Sequence, residues 1–527
     1  MMTTNQIVRR TAGTAVGIFA VAATISSAVS APPATRETSA VATPDRLLLL
    51  VFDQMRPDYI DRFNLQNFKR LRGSSRHYPE AYVGHLSSQT VVAHAVIPTG
   101  LRPGALPWQD EAMVDEDGVL GKPGAVYKTG ELKSEELIRF LQRLPRSQFL
   151  GARVRDAFGG RVFAVGAKNY AATLFGGPHA DGIVTLEKER GGGRCVPAGV
   201  NVPAYISADP RFILDCAEKY GTGLSTVYAL DGNHYVPGRD SAHLGGDVWT
   251  ADAALAIMKR EPWSALFLTF GGIDKVAHML GEQDGPGLQS VPSEYRLADI
   301  LKTADEQLGR ILAALEELGL SQRTVVIVTA DHGGQRNEYY LGNGRYQSCC
   351  AFEGSTTPFQ APYWLEHLSQ LGKLKTGYVD TSITLWLADR SDANEAAITR
   401  GLMDVSGVTE IYSRRGSGQS FRYERVFSRL ETQSARFQAW AHRHSAELVA
   451  TMAGPSAPDL VALLGDGFGF GRIGGHGGAQ EMVQRIPMFI RVPAEPPSSR
   501  REALRLMDIA PEAARILGLP ATAPAAR

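Results

Sequence analysis

Short, unbroken apolar runs recur along this 527-residue chain, separated by stretches whose apolar positions repeat with helical spacing. The runs Leu47 to Phe52, Val162 to Gly166, Ala265 to Phe270, Thr324 to Thr329, Leu460 to Leu464 and Pro487 to Val492 predict strands. Because they do not alternate with polar residues, most are expected to be covered on both faces. Between them, Tyr295 to Leu318 is the clearest helix. Leu297, Ile300, Leu301, Ala304, Leu308, Ile311, Leu312 and Leu315 form one stripe opposite a charged face, and Gly319 supplies a stop. Strands alternating with helices predict an α/β fold with a mostly parallel sheet and helices on both faces. Residues 105–260 and 335–455 are rich in Gly, Pro and aromatic residues and break the alternation, so they read as insertions that cap the site. No internal repeat is apparent.

The N-terminus has a different pattern. Arg9 and Arg10 precede the acid-free stretch TAGTAVGIFAVAATISSAVSA, which reads as a signal peptide over residues 1–31 with cleavage near Ala28 to Ala31. Its Ala, Ser and Thr content falls short of the roughly 20 strongly apolar residues of a bilayer span, so no stable membrane anchor is expected. Thr11-Ala12-Gly13 lacks the bulky apolar residues that a twin-arginine signal carries next, and the export route stays open between the two systems. Residues 32–45 have linker composition, leaving 46–520 as one catalytic domain in the periplasm or outside the cell.

Lys+Arg and Asp+Glu both number 55, and a net charge of zero argues against a nucleic-acid-binding surface. Of the four cysteines, Cys195 and Cys216 can form a disulfide while Cys349 and Cys350 are adjacent; all three pairings remain open. They show no C-x-x-C spacing, so a cysteine zinc site is not expected. Nothing in the pattern specifies an oligomeric state.

The candidate chemistry lies where the apolar runs end. Asp53 follows LLLLVF directly, and a carboxylate there is costly to bury without a partner. A cation would serve, although capping the next turn is an equally ordinary role. Asp331 poses the same problem after TVVIVTA, and His332 beside it adds an imidazole. Two strand-end aspartates plus a histidine make a mixed oxygen and nitrogen set that suits zinc better than calcium or magnesium. Asp274 and His278 lie four apart and share a face if GIDKVAHML begins a helix. His476 sits in the glycine-rich turn GGHGG. Thr90 begins the helical pattern TVVAHAVI, where exposed amides favour an anion, and is the candidate nucleophile. A threonine hydroxyl reacts poorly unless a metal favours its alkoxide. His94, one turn on, is expected to pack or hydrogen-bond rather than bind metal.

These segments together resemble the alkaline phosphatase superfamily, in particular the threonine-nucleophile alkaline phosphatases and the nucleotide pyrophosphatase/phosphodiesterases. DQMRPDYIDRF resembles the opening signature, TVVAHAVIPTGLRP the nucleophile segment, TADEQLGRILAALEELGLSQRTVVIVTADHGG the helix and strand before the Asp-His pair, and LRLMDIAPEAARILGLP the closing segment. The resemblance implies an alkaline-phosphatase-like three-layer sandwich from about Leu47 to Pro520. It also implies two zinc ions, one held by Asp274, His278 and His476 and the other by Asp53, Asp331 and His332 with Thr90 beside it. Thr90 would attack the phosphorus of a small-molecule phosphate ester and form a covalent phosphothreonine.

Two departures bear on the substrate. Ungapped counting puts Glu111 where relatives often carry a phosphate-contacting asparagine, with Gln109 as the donor if the loop aligns differently. The segment GAKNYAATLFGG resembles the phosphate-binding Lys-x-Arg segment but reads Lys168-Asn169-Tyr170, keeping the lysine and losing the arginine. Lys168, Glu111 and Asn169 are therefore the candidate substrate contacts. Loss of a bidentate clamp shifts the expectation from dianionic monoesters toward diesters, as in the nucleotide pyrophosphatase/phosphodiesterases. A catalytically inactive metal-binding relative is the competing reading. A sulfatase is disfavoured because Thr90 cannot become formylglycine, and a manganese mutase because of the export signal.

Overall fold

The structure is a computed structural model that describes residues 43–189, 194–215, 246–280, 297–342, 345–348, 368–405, 407–417, 420–470 and 474–521. The expected signal peptide and most of the expected linker lie outside these residues, as do Cys216, Cys349 and Cys350; Cys195 is buried and disulfide-bonded.

The principal sheet is built on β1 (Arg46–Phe52), β2 (Arg161–Gly166), β3 (Gly182–Lys188), β4 (Arg194–Val200), β5 (Trp263–Phe270) and β6 (Thr324–Thr329). Its centre runs β6-β1-β5-β2-β3, all neighbours parallel. Met488–Arg491 joins antiparallel to β6 at one side, and β4 antiparallel to β3 at the other. Every residue of β5 and β6 is buried. Successive side chains on a strand point to opposite faces, so both faces of the sheet are covered, as parallel sheets require. The helix expected after residue 295 spans Leu297–Glu317, with its stripe turned to the core and Gly319 beyond it at φ 68°.

The intervals expected as insertions behave differently from each other. Within 105–260, β2, β3 and β4 extend the principal sheet, so this interval builds the core as well as what lies above it. Irregular composition hid this role, since β4 is only partly buried. Within 335–455, β7 (Leu374–Val379), β8 (Ser382–Leu387), β9 (Val408–Arg415) and β10 (Arg422–Ser428) form a second sheet with β11 (Leu460–Leu464). It is antiparallel throughout, in the order β7-β8-β11-β9-β10. The apolar run at Leu460 thus belongs to this sheet, not to the parallel one. It is unbroken because Leu460, Ala462 and Leu464 pack into one apolar cluster while Val461 and Leu463 pack into another on the opposite face. Among the described residues no helix is long and apolar enough to cross a membrane.

Candidate metal centre and nucleophile

Strand ends carry the chemistry into one buried cluster of side chains. β1 stops at Asp53, whose backbone N–H donates to Phe270 O at the end of β5 (2.9 Å), pinning two strand ends together. β6 delivers Asp331 and His332 in the same way. Immediately after β5, the helix α1 (Gly272–Leu280) puts Asp274 in its first turn and His278 one turn later. A separate helix, Thr90–Thr99, starts with Thr90 itself. All six of these side chains, and His476 with them, are buried.

The structure brings the expected ligands together as two sets. Asp274 Oδ1 lies 3.1 Å from His278 Nε2 and 3.4 Å from His476 Nε2, and the two histidine nitrogens are 3.2 Å apart. In the second set, His332 Nε2 lies 3.4 Å from Asp53 Oδ1 and 3.5 Å from Asp331 Oδ2. Four tetrahedral donors at about 2.0–2.1 Å from an ion stand about 3.3–3.4 Å from one another, so both spacings fit a zinc-sized site. The donors fit as well: Asp53 Oδ1 and Asp331 Oδ2 are buried without a hydrogen-bond partner, which a cation would relieve. The sets adjoin, since the rings of His332 and His476 stack at 3.8 Å. Thr90 Oγ1 stands 3.4 Å from both Asp53 Oδ2 and His332 Nε2.

Electrostatics differ between the sets. Burial pushes Asp331 up to about 7, with the neighbouring Asp53 charge adding to the effect. Burial also opposes charge on His332, but Asp331, Asp53 and Asp274 outweigh it and raise its pKa. Asp274 moves the other way: burial is overcome by His278 and Lys168, which hold its carboxyl well below the usual range. His476 is pushed far down by burial and by His332.

Backbone contacts aim the ligands. Each imidazole spends Nδ1 on a carbonyl, His278 on Gly474 O (2.8 Å), His332 on Gly333 O (2.9 Å) and His476 on Ser88 O (3.1 Å), which turns Nε2 toward the centre. The turn around His476 needs its glycines. A Cβ on Gly474 would sit 2.0 Å from Ala277 O, and Gly477 has φ +93°. His94 bonds Thr90 O and Thr269 Oγ1, so both its nitrogens serve the scaffold. Ser88, Gln54 and Asp247 were not legible from the chain. Ser88 Oγ accepts from Gly477 N (3.1 Å), Gln54 N donates to Asp331 Oδ1 (3.2 Å) from a left-handed φ of 61°, and Asp247 Oδ1 accepts from Gly272 N (3.0 Å). Their roles arise from backbone groups distant in sequence, for which no residue pattern exists.

The candidate substrate contacts are placed less uniformly. Lys168 Nζ meets Asp53 Oδ2 at 2.5 Å and Asp274 Oδ2 at 2.6 Å. Burial opposes its charge, but Asp274 and Asp53 raise its pKa well above the ordinary value. Asn169 Oδ1 accepts from Ser134 Oγ (2.5 Å) and Thr173 Oγ1 (3.3 Å), so its carbonyl is committed to helix packing. Gln109 is turned onto Leu106 O, to which its Nε2 donates at 3.0 Å. Glu111 is half-buried, with its carbonyl held by Thr129 N at 2.7 Å. The Tyr170 ring passes 3.8 Å from where a Gly130 Cβ would stand; burial raises its phenol, and the Lys168, Lys275 and Glu111 charges all act on it.

Known proteins share this fold. The type I phosphodiesterase / nucleotide pyrophosphatase family model matches residues 47–115 and 200–472, which include Asp53, Thr90, Asp274, His278, Asp331 and His332. The alkaline phosphatase PhoK of a Sphingomonas species is 28% identical over 56% of this chain and 56% of its own length, so the chain spans little more than half of that relative. The solved structure of wild-type alkaline phosphatase PafA aligns with a TM-score of 0.60 at 15% identity, over 91% of this chain and 97% of that one. Murine ectonucleotide pyrophosphatase / phosphodiesterase 5 aligns with a TM-score of 0.53 at 13% identity, over 91% and 96%. These two likenesses establish the fold, and the family match establishes membership. The chain belongs to the type I phosphodiesterase / nucleotide pyrophosphatase family of the alkaline phosphatase superfamily.

Proposed function

We propose that this chain is an exported two-zinc hydrolase of small-molecule phosphoric esters that acts through Thr90, with diesters preferred over dianionic monoesters. The observation that carries the reading is the pair of buried ligand sets, with donor spacings of 3.1 to 3.5 Å, meeting at one threonine hydroxyl. Bound there, two divalent cations would supply the positive charge that favours ionisation of a hydroxyl and offsets charge on the leaving oxygen. Asp274, His278 and His476 would hold one, and Asp53, Asp331 and His332 the other.

The remaining steps belong to the chain. Thr90 directs its hydroxyl at Asp53 Oδ2 from the first residue of its helix, where unpaired amides favour negative charge. Its oxygen bonds to phosphorus as the ester P–O bond breaks and the alcohol leaves. Water then cleaves the phosphothreonine and restores the hydroxyl, releasing phosphate from a monoester or a monoester from a diester. Tyr170, where the resembling segment has arginine, offers no bidentate pairing to a dianion, which supports the diester preference. The family name and the relatives PhoK and PafA support ester hydrolysis, and the Arg9-Arg10 leader supports export.

Metal analysis of purified protein, with assays on p-nitrophenyl phosphate, bis-p-nitrophenyl phosphate and p-nitrophenyl sulfate, tests the reading. Two ions per chain and faster diester turnover are expected. Thr90→Ala should lose on the order of 10³-fold or more in kcat/KM. Undiminished turnover by that variant would exclude Thr90 as nucleophile, and a single ion in active protein would exclude the two-metal scheme.

A further inference from the structure

Asp53 and Asp274 divide their oxygens in the same way although they belong to opposite ligand sets. Asp274 Oδ1 faces His278 and His476, and Asp53 Oδ1 faces His332. Both Oδ2 atoms face the same ammonium, that of Lys168, at 2.6 and 2.5 Å. The lysine side chain is 3% exposed, and it enters from the residue before the helix Asn169–Gly176, two residues beyond β2, the strand next to β5 in the sheet. One buried cation therefore spans the two half-sites that β1 and β5 deliver.

We infer that Lys168 is a positioning residue that acts through Asp53 and Asp274, bridging the two ligand sets and holding one oxygen of each carboxylate toward its own set, in place of the substrate contact that the Lys-x-Arg resemblance implies. An ammonium has three donors, and two are engaged in short charge-assisted bonds to buried carboxylates. A substrate oxygen can share at most the third. Leaving the carboxylates to grip a phosphoryl group would strand two buried charges, whereas staying fixes which oxygen of each is presented to a metal, the service that outer partners give to metal ligands. The bridge also keeps Asp53 and Asp274 at a set spacing when no ion is present. This inference rests on reading Asp53 and Asp274 as metal ligands.

The experiment compares wild type with Lys168→Met in two states. After chelation, with no metal or substrate present, the variant is expected to melt about 5 °C below wild type, because the buried carboxylates lose their shared cation. Loaded with zinc, it is expected to bind inorganic phosphate, measured by calorimetry, within about threefold of wild type. KM for the monoester and the diester should likewise hold while kcat falls. A substrate-gripping lysine gives the opposite result: phosphate affinity down tenfold or more, KM raised most for the dianionic monoester, and no change in chelated melting temperature. That outcome overturns the inference. Lys168→Gln, shorter and still a donor, repeats both measurements where the methionine variant does not fold. Absence of zinc binding by wild type would instead refute the ligand assignment, which separates the two failures.

Discussion

Asp110 offers a quantitative test of how the second sheet is fastened beside the site. It is 2% exposed; Oδ1 accepts from Glu111 N (2.8 Å) and Oδ2 from Thr384 Oγ1 of β8 (2.7 Å). Burial pushes its carboxyl up to about 6 from 3.8, against the pull of those hydrogen bonds. A raised carboxyl binds its proton more tightly in the folded chain than in the unfolded one. Its contribution is therefore fully present below about pH 4 and is lost as pH rises through about 6. A shift of about two units corresponds to about 3 kcal/mol. Asp110→Asn keeps the shape and removes the titration, so the stability difference between variant and wild type should move by about 3 kcal/mol in favour of asparagine from pH 4 to pH 8. Urea unfolding followed by tryptophan fluorescence, with metal chelated throughout, measures this difference. Parallel curves, constant within about 0.5 kcal/mol, would refute the argument that this carboxyl is buried at a cost.

Other outcomes follow from the same structure. Gly477→Ala forces a Cβ onto a left-handed backbone and to within 2.0 Å of Gln89 Nε2, displacing His476; metal titration should show one of the two ions held about 10- to 100-fold more weakly. Tyr170→Arg restores the missing guanidinium and should shift the monoester-to-diester ratio of kcat/KM about tenfold toward the monoester in paired p-nitrophenyl assays. Asp305 accepts from Asn67 N and Phe68 N, both at 2.9 Å, so Asp305→Ala should cost about 2–4 kcal/mol in denaturant unfolding while kcat stays within twofold. Zinc at a hundred times its dissociation constant should raise stability by about 2.7 kcal/mol per ion over chelated protein, readable as a higher melting temperature.

The legible part of the fold was the part buried on both faces. Thr324–Thr329 and Leu460–Leu464 match the apolar runs residue for residue, and β1 adds only Arg46, because burial on both sides leaves no polar interruption. Arg422–Ser428 was invisible for the converse reason: its RYERVFS is mostly exposed and carries charge where a core strand would not. Which sheet Leu460 joins could not be read, since pairing partners leave no mark on a run apolar on both faces. In the site, residues next to strand ends stood out because carboxylates there are costly, whereas Asn169 and Gln109 suggested phosphate contacts by position alone. Their side chains face Ser134 and Leu106, contacts set by packing between segments rather than by local sequence.

Asp53 and His476 are separated by more than four hundred residues, yet their half-sites adjoin through the stacked rings of His332 and His476. Neither a nascent chain nor an incompletely folded one can offer both sets at once. With the two sets holding metal as proposed, ion choice would be deferred until the last strands are in place, and the surroundings in which the chain completes its folding, more than those in which it is translated, would determine which metal it carries.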